Sequence, residues 1–195
     1  VAKLVTPLVD YIVAPKCFGK SWTKYGIARD RIIHYDGLEE LAWQNMHFEQ
    51  PMFLKELENR KPVILFRDAE YHASYCGNVQ INTQELLEKL AQLGTVVALP
   101  RYENEKNRYE GLSNIWSPPK TVITAQLIPY VDLMVGSGGS ICRETALNGI
   151  PTINFHFWDA QARCLHRKGF PVRILRDTPS IVRTAKRILR KQKRV

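Results

Sequence analysis

The sequence has few of the features that mark disulfide-bonded or metal-binding proteins. Four cysteines occur in 195 residues, and no two of them stand at the CxxC spacing. Such scattered cysteines are typical of reduced thiols in a cytosolic protein and argue against a zinc site or a disulfide framework. No two of the five histidines form an HxxxH pair, so we expect no bound metal. These residues are Cys17, Cys76, Cys142, Cys164, His34, His47, His72, His156 and His166.

Long hydrophobic runs are also missing. The longest ones, at 62–66 and 96–100, are far shorter than the roughly 20 apolar residues that a membrane-spanning helix needs. No charged-then-apolar leader opens the chain, and the hydrophobic fraction of 45% is ordinary for a globular protein. We therefore expect a cytoplasmic protein with a buried core.

Acidic residues are outnumbered, with 19 Asp and Glu against 28 Lys and Arg and a formal net charge of +9. Two interpretations of the basic C-terminal segment stay open: a cationic surface that binds phosphate groups, including those of an anionic membrane, and a solvated helix face. Nucleic acid is a weaker candidate, because no aromatic residue interleaves with these cations to stack on a base. The cations are Arg183, Lys186, Arg187, Arg190, Lys191, Lys193 and Arg194.

From about residue 60 onward, short apolar runs alternate with amphipathic segments. This alternation predicts right-handed crossovers and an α/β fold with a doubly wound parallel sheet. The predicted strands there are 63–66, 95–99, 113–116, 132–135, 151–155 and 171–174, and the predicted helices 83–93, 122–130, 141–147, 160–168 and 179–190. Earlier, we expect strands at 10–15 and 31–35, short helices at 20–25 and 38–43, and irregular structure over 46–61.

The segment 131–154 predicts a strand, a glycine-rich turn, a helix and a second strand. Gly136, Gly138 and Gly139 permit backbone conformations and close approaches that a side chain would block, and Ser140 is a natural N-cap. A helix start at a strand's carboxyl end offers free N–H groups and the positive end of the helix dipole. The amides of 137–140, beginning with Ser137, are therefore predicted to bind an anion such as a nucleotide diphosphate. The spacing matches neither the GxGxxG pattern nor the P-loop.

Charged side chains near this turn are further candidates. Arg143 and Glu144 lie one helical turn into the following helix. Glu144 could accept hydrogen bonds from a ribose, or it could be a carboxylate that only interacts favourably with the positive end of the helix dipole. Arg67 and Arg101 end two successive strands, where a guanidinium suits a phosphate. The alternative for each is an ion pair at the strand end, such as Arg67 with Asp68 or Glu70.

His72 and His156 follow predicted strands in the same way. Either could contact a substrate, but a loop histidine without a chemical role is the more common explanation for each.

The run 132–151 resembles the signature of a prokaryotic family of uncharacterised proteins predicted to be glycosyltransferases. That family is similar to UDP-N-acetylglucosamine 2-epimerase and to the GT-B superfamily. Further matching segments are 10–15, 25–27, 31–40, Phe66-Arg67 with Tyr75 downstream, and 99–101.

The resemblance implies that 51–195 is the Rossmann-like, nucleotide-sugar-binding carboxyl-terminal domain of a two-domain enzyme. Residues 1–50 would then be the end of the amino-terminal domain and the hinge, and the initial valine agrees with a fragment or a processed form. By position, Gly136–Ser140 would face the diphosphate, Glu144 the ribose, and Arg67 the phosphate or sugar. The resemblance, which includes UDP-N-acetylglucosamine 2-epimerase, implies a nucleotide sugar as substrate, linked to UDP, with no separate cofactor.

Three functions remain open at this point. The first is a nucleotide-sugar-dependent glycosyltransferase or its donor-binding half. The second is an epimerase of a nucleotide sugar, for which Glu70, His72 and Glu103 are the candidate acid–base groups. The third is a non-catalytic module that attaches to phosphates or to an anionic membrane through the basic tail.

Overall fold

The structure, a computed structural model, describes residues 2–44, 46–70, 81–109, 111–137, 139–155 and 160–192. The chain divides into two units, Val1–Asn45 and Met46–Val195. Among the described residues, no helix combines the length and the apolar character that crossing a membrane requires.

The first unit is built on a two-stranded parallel sheet. After α1 (Ala2–Val5), β1 (Ile12–Pro15) pairs with β2 (Ile32–Tyr35), and α2 (Leu41–Gln44) follows. A 3-10 helix, Lys16–Tyr25, connects the strands and ends at Gly26, whose φ of 89° is left-handed. Both predicted strands are confirmed. The predicted helix stop at Gly26 is also confirmed, and the physical reason is that glycine adopts a left-handed conformation without steric cost.

The second unit contains a six-stranded parallel sheet with the order β5-β4-β3-β6-β7-β8. Its strands are β3 (Val63–Arg67), β4 (Thr95–Ala98), β5 (Ile115–Trp116), β6 (Leu133–Gly136), β7 (Thr152–Phe155) and β8 (Val172–Leu175). The chain runs outward from β3 to β5, then returns to β6 on the other side of β3. The order therefore reverses between β3 and β6, as in doubly wound folds, where ligands bind at this switch point beyond the carboxyl ends of the strands.

Helices cover both faces of this sheet. They are α3 (Thr83–Ala91), α4 (Glu103–Tyr109), α5 (Thr124–Leu127), α6 (Gly139–Leu147), α7 (Ala160–Arg167) and α8 (Thr178–Gln192). On one face, Leu86 and Leu90 of α3 and Ile181 of α8 share a core cluster with alternate strand residues. On the other face, Cys142 of α6 and Leu54 of a 3-10 helix, Met52–Arg60, share a second cluster. The predicted fold class, α/β with a doubly wound parallel sheet, is confirmed.

Local sequence explains where these helices start and stop. The Asn82 side chain accepts a hydrogen bond from Glu85 N–H (3.1 Å) and caps α3. Leu86 and Leu90 are fully buried one turn apart, and burying a leucine contributes about 1.5–3 kcal/mol. Both α3 and α8 were predicted, because their apolar residues recur with helical period.

Three differences from the predicted elements have physical reasons. Helix α4 was not predicted, because Glu103–Tyr109 carries a single apolar residue at its end and shows no apolar periodicity. The predicted helix 122–130 is interrupted: α5 ends at Leu127 and a 3-10 turn, Ile128–Tyr130, follows, in which Pro129 has no N–H to donate. The region 46–61 was expected to be irregular, but Met52–Arg60 forms a 3-10 helix that buries Leu54 and Leu57.

Candidate functional site

The switch point of the sheet brings three polar or small residues into one row. Arg67 at the end of β3 is in register with Gly136 at the end of β6, which is in register with Asn154 of β7. A Cβ on Gly136 would lie 2.9 Å from Arg67 O and 3.2 Å from Arg67 Cβ. Only glycine therefore lets the two strand ends approach this closely, as predicted for this position.

Helix α6 begins directly after this row, at Gly139. The predicted N-cap role of Ser140 is wrong, because the helix starts at Gly139, two residues before the predicted start at 141, and Ser140 lies inside its first turn. Ser140 Oγ accepts a hydrogen bond from Arg143 Nη2 (3.3 Å), and a Cβ on Gly139 would lie 2.9 Å from Arg143 Nη1. The Arg143 guanidinium thus folds back over the helix start and adds its positive charge to that of the helix dipole.

The amide groups predicted to bind an anion are only partly available. Ser137 N–H donates to Arg67 O (3.1 Å) and continues the pairing of β3 with β6. Gly138 lies outside the described residues. Gly139 and Ser140 open the helix, so their amides have no intrahelical acceptor and can face a ligand.

Glu144 is nearly buried in α6, at 7% exposure. A cavity lies beyond the carboxyl ends of the strands, and Ile141 of α6 lines it. The side chains of Arg143 and Glu144 do not. The predicted contact of Glu144 with a ribose therefore stays a prediction.

This cavity, of ≈ 670 Å³, lies beyond the carboxyl ends of β3 and β4. Its described lining contains four cationic side chains and no carboxylate; the cations are Arg67, Arg101, Lys106 and Lys120. The remaining wall is formed by Leu99, Pro100, the loop 118–122, Thr124 and Ile141. A pocket lined in this way is suited to an anion with several charged oxygens.

Two of these cations were missed by the sequence reasoning. Lys106 lies on α4, which was not predicted, and Lys120 lies in the loop after β5. The sequence signal that could have found Lys120 is the Pro118-Pro119-Lys120 turn after a short strand, since such loops carry ligand contacts in parallel sheets.

The Arg67 guanidinium uses only part of its hydrogen-bonding capacity within the described residues. Its Nη1 donates to Leu99 O (2.6 Å), whereas its Nε is buried and has no partner among the described residues. Burial lowers the pKa of the Arg67 guanidinium, and the charge of Arg101 lowers it further. The ion pair with Asp68 or Glu70 that we considered as the alternative is not formed by Arg67. A buried cation of this kind favours an anionic partner.

Arg101, in contrast, is engaged within the protein. Its Nε pairs with Glu70 Oε2 (3.3 Å), and its backbone N–H donates to Glu105 Oε2 (2.7 Å). Glu70 also accepts a hydrogen bond from the Tyr102 hydroxyl (2.8 Å), which raises the pKa of Tyr102. Arg101 therefore forms the strand-end ion pair of the alternative interpretation while its side chain still borders the cavity.

Buried polar atoms without partners cluster at the same edge. In the described part of Met46–Val195, five residues with such side-chain atoms lie at or beyond the carboxyl ends of strands. These five are Arg67, Glu105, Tyr109, Ser137 and Asn154. Asn154 is fully buried, and neither its Nδ2 nor its Oδ1 has a partner among the described residues. Because proteins pair nearly all buried polar groups, such a cluster is typical of a binding site.

Of the groups considered for acid–base chemistry, the described carboxylates Glu70 and Glu103 do not line the cavity. Glu103 is exposed and pairs with Lys106 (3.5 Å), Glu70 pairs with Arg101, and His72 and His156 lie outside the described residues, as do Tyr75, Cys76, Lys193 and Arg194. No set of His, Cys, Asp or Glu side chains in the described ranges could hold a metal ion.

Comparison with known sequences gives the family. Residues 1–194 match the family described as "Protein of unknown function (DUF354)", and the chain belongs to this family. It is 30% identical over 161 residues to the uncharacterized protein MJ0665 of Methanocaldococcus jannaschii, a match that covers 78% of this chain and 46% of that protein. The chain thus spans about half the length of the curated relative it matches.

Comparison with solved structures agrees with the fold. Two structures of the wall teichoic acid polymerase TagF each match 98% of this chain and 52% of theirs, with a TM-score of 0.52 and 14% sequence identity. The glycotransferase of kitacinnamycin matches 94% of this chain and 51% of its own, with a TM-score of 0.47 and 14% identity. The predicted membership of an uncharacterised family is thus confirmed, and the two TagF matches show that this chain and TagF share a fold.

Proposed function

We propose that this member of the DUF354 family is the donor-binding half of a nucleotide-sugar-dependent glycosyltransferase. The diphosphate of the donor would occupy the cavity at the carboxyl edge, beside the start of α6. The observation that carries the proposal is the lining of that cavity, in which four cations occur without a carboxylate.

The position of the cavity supports the same conclusion. It adjoins the switch point between β3 and β6, where open parallel sheets bind ligands. Arg67 would donate its unpaired Nε–H to a phosphate oxygen, and Lys120, from the loop wall, would supply a second charge. The free amides of Gly139 and Ser140, with the guanidinium of Arg143 above them, would extend this positive region.

These groups suit the charge changes of glycosyl transfer. As the bond between the sugar's anomeric carbon and the diphosphate oxygen breaks, its electron pair passes to the diphosphate. An acceptor hydroxyl forms the new bond to the anomeric carbon and loses its proton. Cations and amides already held around the leaving group would stabilise its growing negative charge without reorganisation, which is the main way such sites lower a barrier.

Calorimetric titration with UDP and UDP-N-acetylglucosamine tests the proposal. We expect wild-type binding at millimolar ligand or below, and a Lys120→Gln variant with affinity reduced about three- to tenfold, because one phosphate contact is lost. Lys120 is exposed and lies in a loop, so the variant should keep its fold. The matched control is Lys55→Gln, which removes an exposed lysine remote from the cavity lining. Absence of binding at millimolar ligand, or an equal loss in the control, would contradict the proposal.

Product analysis separates transfer from epimerisation. NMR of UDP-N-acetylglucosamine incubated with the protein should show no new free epimer if the donor is only held for transfer. Appearance of the epimer would instead favour the second function, with Glu70 or Glu103 as the first residues to replace.

A further inference from the structure

We propose that the exposed face of α8 docks on an anionic lipid membrane. This face, which we term the α8 stripe, consists of Arg183, Lys186, Arg187, Arg190 and Lys191. All five side chains are exposed, and together they line a shallow groove of ≈ 410 Å³. The inference is independent of the cavity at the carboxyl edge and of any nucleotide.

The spacing of the stripe gathers its charges on one side of the helix. Positions that differ by three or four residues are neighbours on a helix surface, and every member of the stripe has at least one other member at that spacing. Like charges at these spacings repel and reduce helix stability. A negatively charged partner would remove that repulsion.

Nothing on α8 itself neutralises the stripe. The helix, Thr178–Gln192, contains no Asp or Glu. None of the ion pairs among the described residues includes a residue of the stripe. The acidic residue just before the helix, Asp177, accepts a hydrogen bond from Ser180 N–H (2.8 Å) and, of the stripe, interacts electrostatically with Arg183.

Stabilisation of the helix dipole explains only part of this arrangement. Cations in the last turn, Arg190 and Lys191, interact favourably with the negative end of the helix. That effect falls off within one turn, so it does not account for Lys186 and Arg187, and Arg183 has the nearby carboxylate of Asp177. Lys186 and Arg187 are therefore the residues that point to an external anion.

The opposite face of α8 determines how the helix can meet a membrane. Ile181, Ala185 and Leu189 are buried in the core against the sheet. The apolar side of α8 is thus already used and cannot insert into lipid, as a free amphipathic helix would. Binding would be electrostatic, at the level of the lipid phosphates, and sensitive to salt.

A membrane fits the stripe better than single-stranded nucleic acid does. The helix carries no aromatic side chain on which a base could stack. A lipid surface requires only a row of cations, each of which gains from the negative surface potential.

Sedimentation with vesicles tests the inference. The probes are vesicles of phosphatidylcholine alone and vesicles in which about one third of the lipid is phosphatidylglycerol. We expect wild-type protein to sediment with the anionic vesicles only, and to be released when sodium chloride is raised to about 0.5 M. The variant Lys186→Gln, Arg187→Gln, Arg190→Gln should bind at least about tenfold more weakly.

A second variant with the same loss of charge provides the control. Lys55→Gln, Arg60→Gln, Lys89→Gln also removes three positive charges from the formal net charge of +9, at exposed or half-exposed positions outside the stripe. It should bind anionic vesicles like wild type. Equal losses in both variants, no wild-type binding at low salt, equal binding to phosphatidylcholine alone, or tighter binding to a single-stranded oligonucleotide would each overturn the inference. Thermal unfolding of both variants verifies that they are folded.

Discussion

Polar groups at the two ends of the parallel strands differ in whether they are paired. We call the end where the strands begin the amino edge and the end where they finish the carboxyl edge. At the amino edge, Lys61 Nζ donates to Tyr130 O (2.6 Å) and pairs with Asp132 Oδ1 (3.1 Å). The second carboxylate oxygen of Asp132 accepts Val63 N–H (2.7 Å). At the carboxyl edge, Arg67 and Asn154 have buried atoms without partners among the described residues, and four cations line a cavity.

From this contrast we expect the amino edge to contribute to stability and the carboxyl edge to contribute to ligand binding. Paired groups at the amino edge tie the starts of β3 and β6 together. Unpaired groups at the carboxyl edge reduce stability, because a buried polar atom without a partner costs about 1–3 kcal/mol. Because they cluster on one edge of the same sheet, we propose that a ligand supplies the missing partners. Substitutions at the two edges should therefore have opposite effects on stability and on binding.

The largest effect is expected at Gly94, which precedes β4 at the amino edge. In Gly94→Ala the new Cβ would lie 2.3 Å from Pro62 O and 2.8 Å from Pro62 Cγ. Since a backbone oxygen cannot move aside, we expect the free energy of unfolding to fall by about 3 kcal/mol, measured by urea denaturation.

Gly139→Ala at the carboxyl edge is the comparison for this variant. Its Cβ would meet only the end of the flexible Arg143 side chain. Its stability should stay within about 1 kcal/mol of wild type. An equal loss in both variants would remove the distinction between the edges.

Removal of the Asp132 carboxylate should produce the next largest effect. Asp132→Ala leaves Val63 N–H without its acceptor and Lys61 without its counter-charge. We expect a loss of about 2 kcal/mol in unfolding free energy. UDP affinity, measured by calorimetry, should remain that of wild type, because Asp132 lies at the edge opposite the cavity. A parallel loss of affinity would show that the edges are coupled.

Asn154 and Thr152 provide a comparison along a single strand. Both side chains lie on the same face of β7, but the Thr152 hydroxyl is within 2.9 Å of Thr145 Oγ1 and 3.0 Å of Ile150 O. Thr152→Val should therefore destabilise by about 1 kcal/mol, whereas Asn154→Leu should leave stability unchanged or raise it by up to about 1 kcal/mol.

Ligand binding should respond in the reverse order. Asn154→Leu should weaken binding of UDP-N-acetylglucosamine, and Thr152→Val should not. If Asn154→Leu destabilises the protein and leaves affinity intact, a buried water satisfies the amide and the residue has no binding role.

The smallest effect concerns the start of α8 at the carboxyl edge, which the Asp177 side chain caps. Hydrogen bonding from Ser180 lowers the pKa of Asp177 below its usual value. Because the folded-state pKa is the lower one, the stabilisation is complete above the unfolded pKa of about 3.9 and is lost as the pH falls through the folded value. Asp177→Asn should remove this part of the pH dependence of thermal unfolding below pH of about 4. Identical pH profiles for the two proteins would contradict the assignment.

Prediction from the sequence succeeded where neighbouring residues carry the signal. Helices α3 and α8 were predicted because their buried residues recur at helical spacing, and β3 and β6 because four successive residues are buried in each. The close approach at Gly136 also follows from a glycine at the end of an apolar run. The start of α6 was misplaced by two residues, because serine is a common N-cap residue but Ser140 lies within the helix.

What the sequence by itself determined is the alternation of strands and helices, the parallel sheet and the candidates Arg67 and Arg101 at its carboxyl edge. Only the tertiary structure decided which cations share the cavity. It also decided that, among the described residues, Arg67 Nε has no partner whereas Arg101 is paired with Glu70. Finally, it decided that the Asn154 side chain is buried without partners in the described part of the chain. The physical reason is the separation along the chain over which each effect acts. Periodicity and chain geometry act between residues that are close in sequence. Burial and pairing depend on segments that are far apart in sequence, such as β3, α4 and the loop 118–122, and that come together only in the folded sheet.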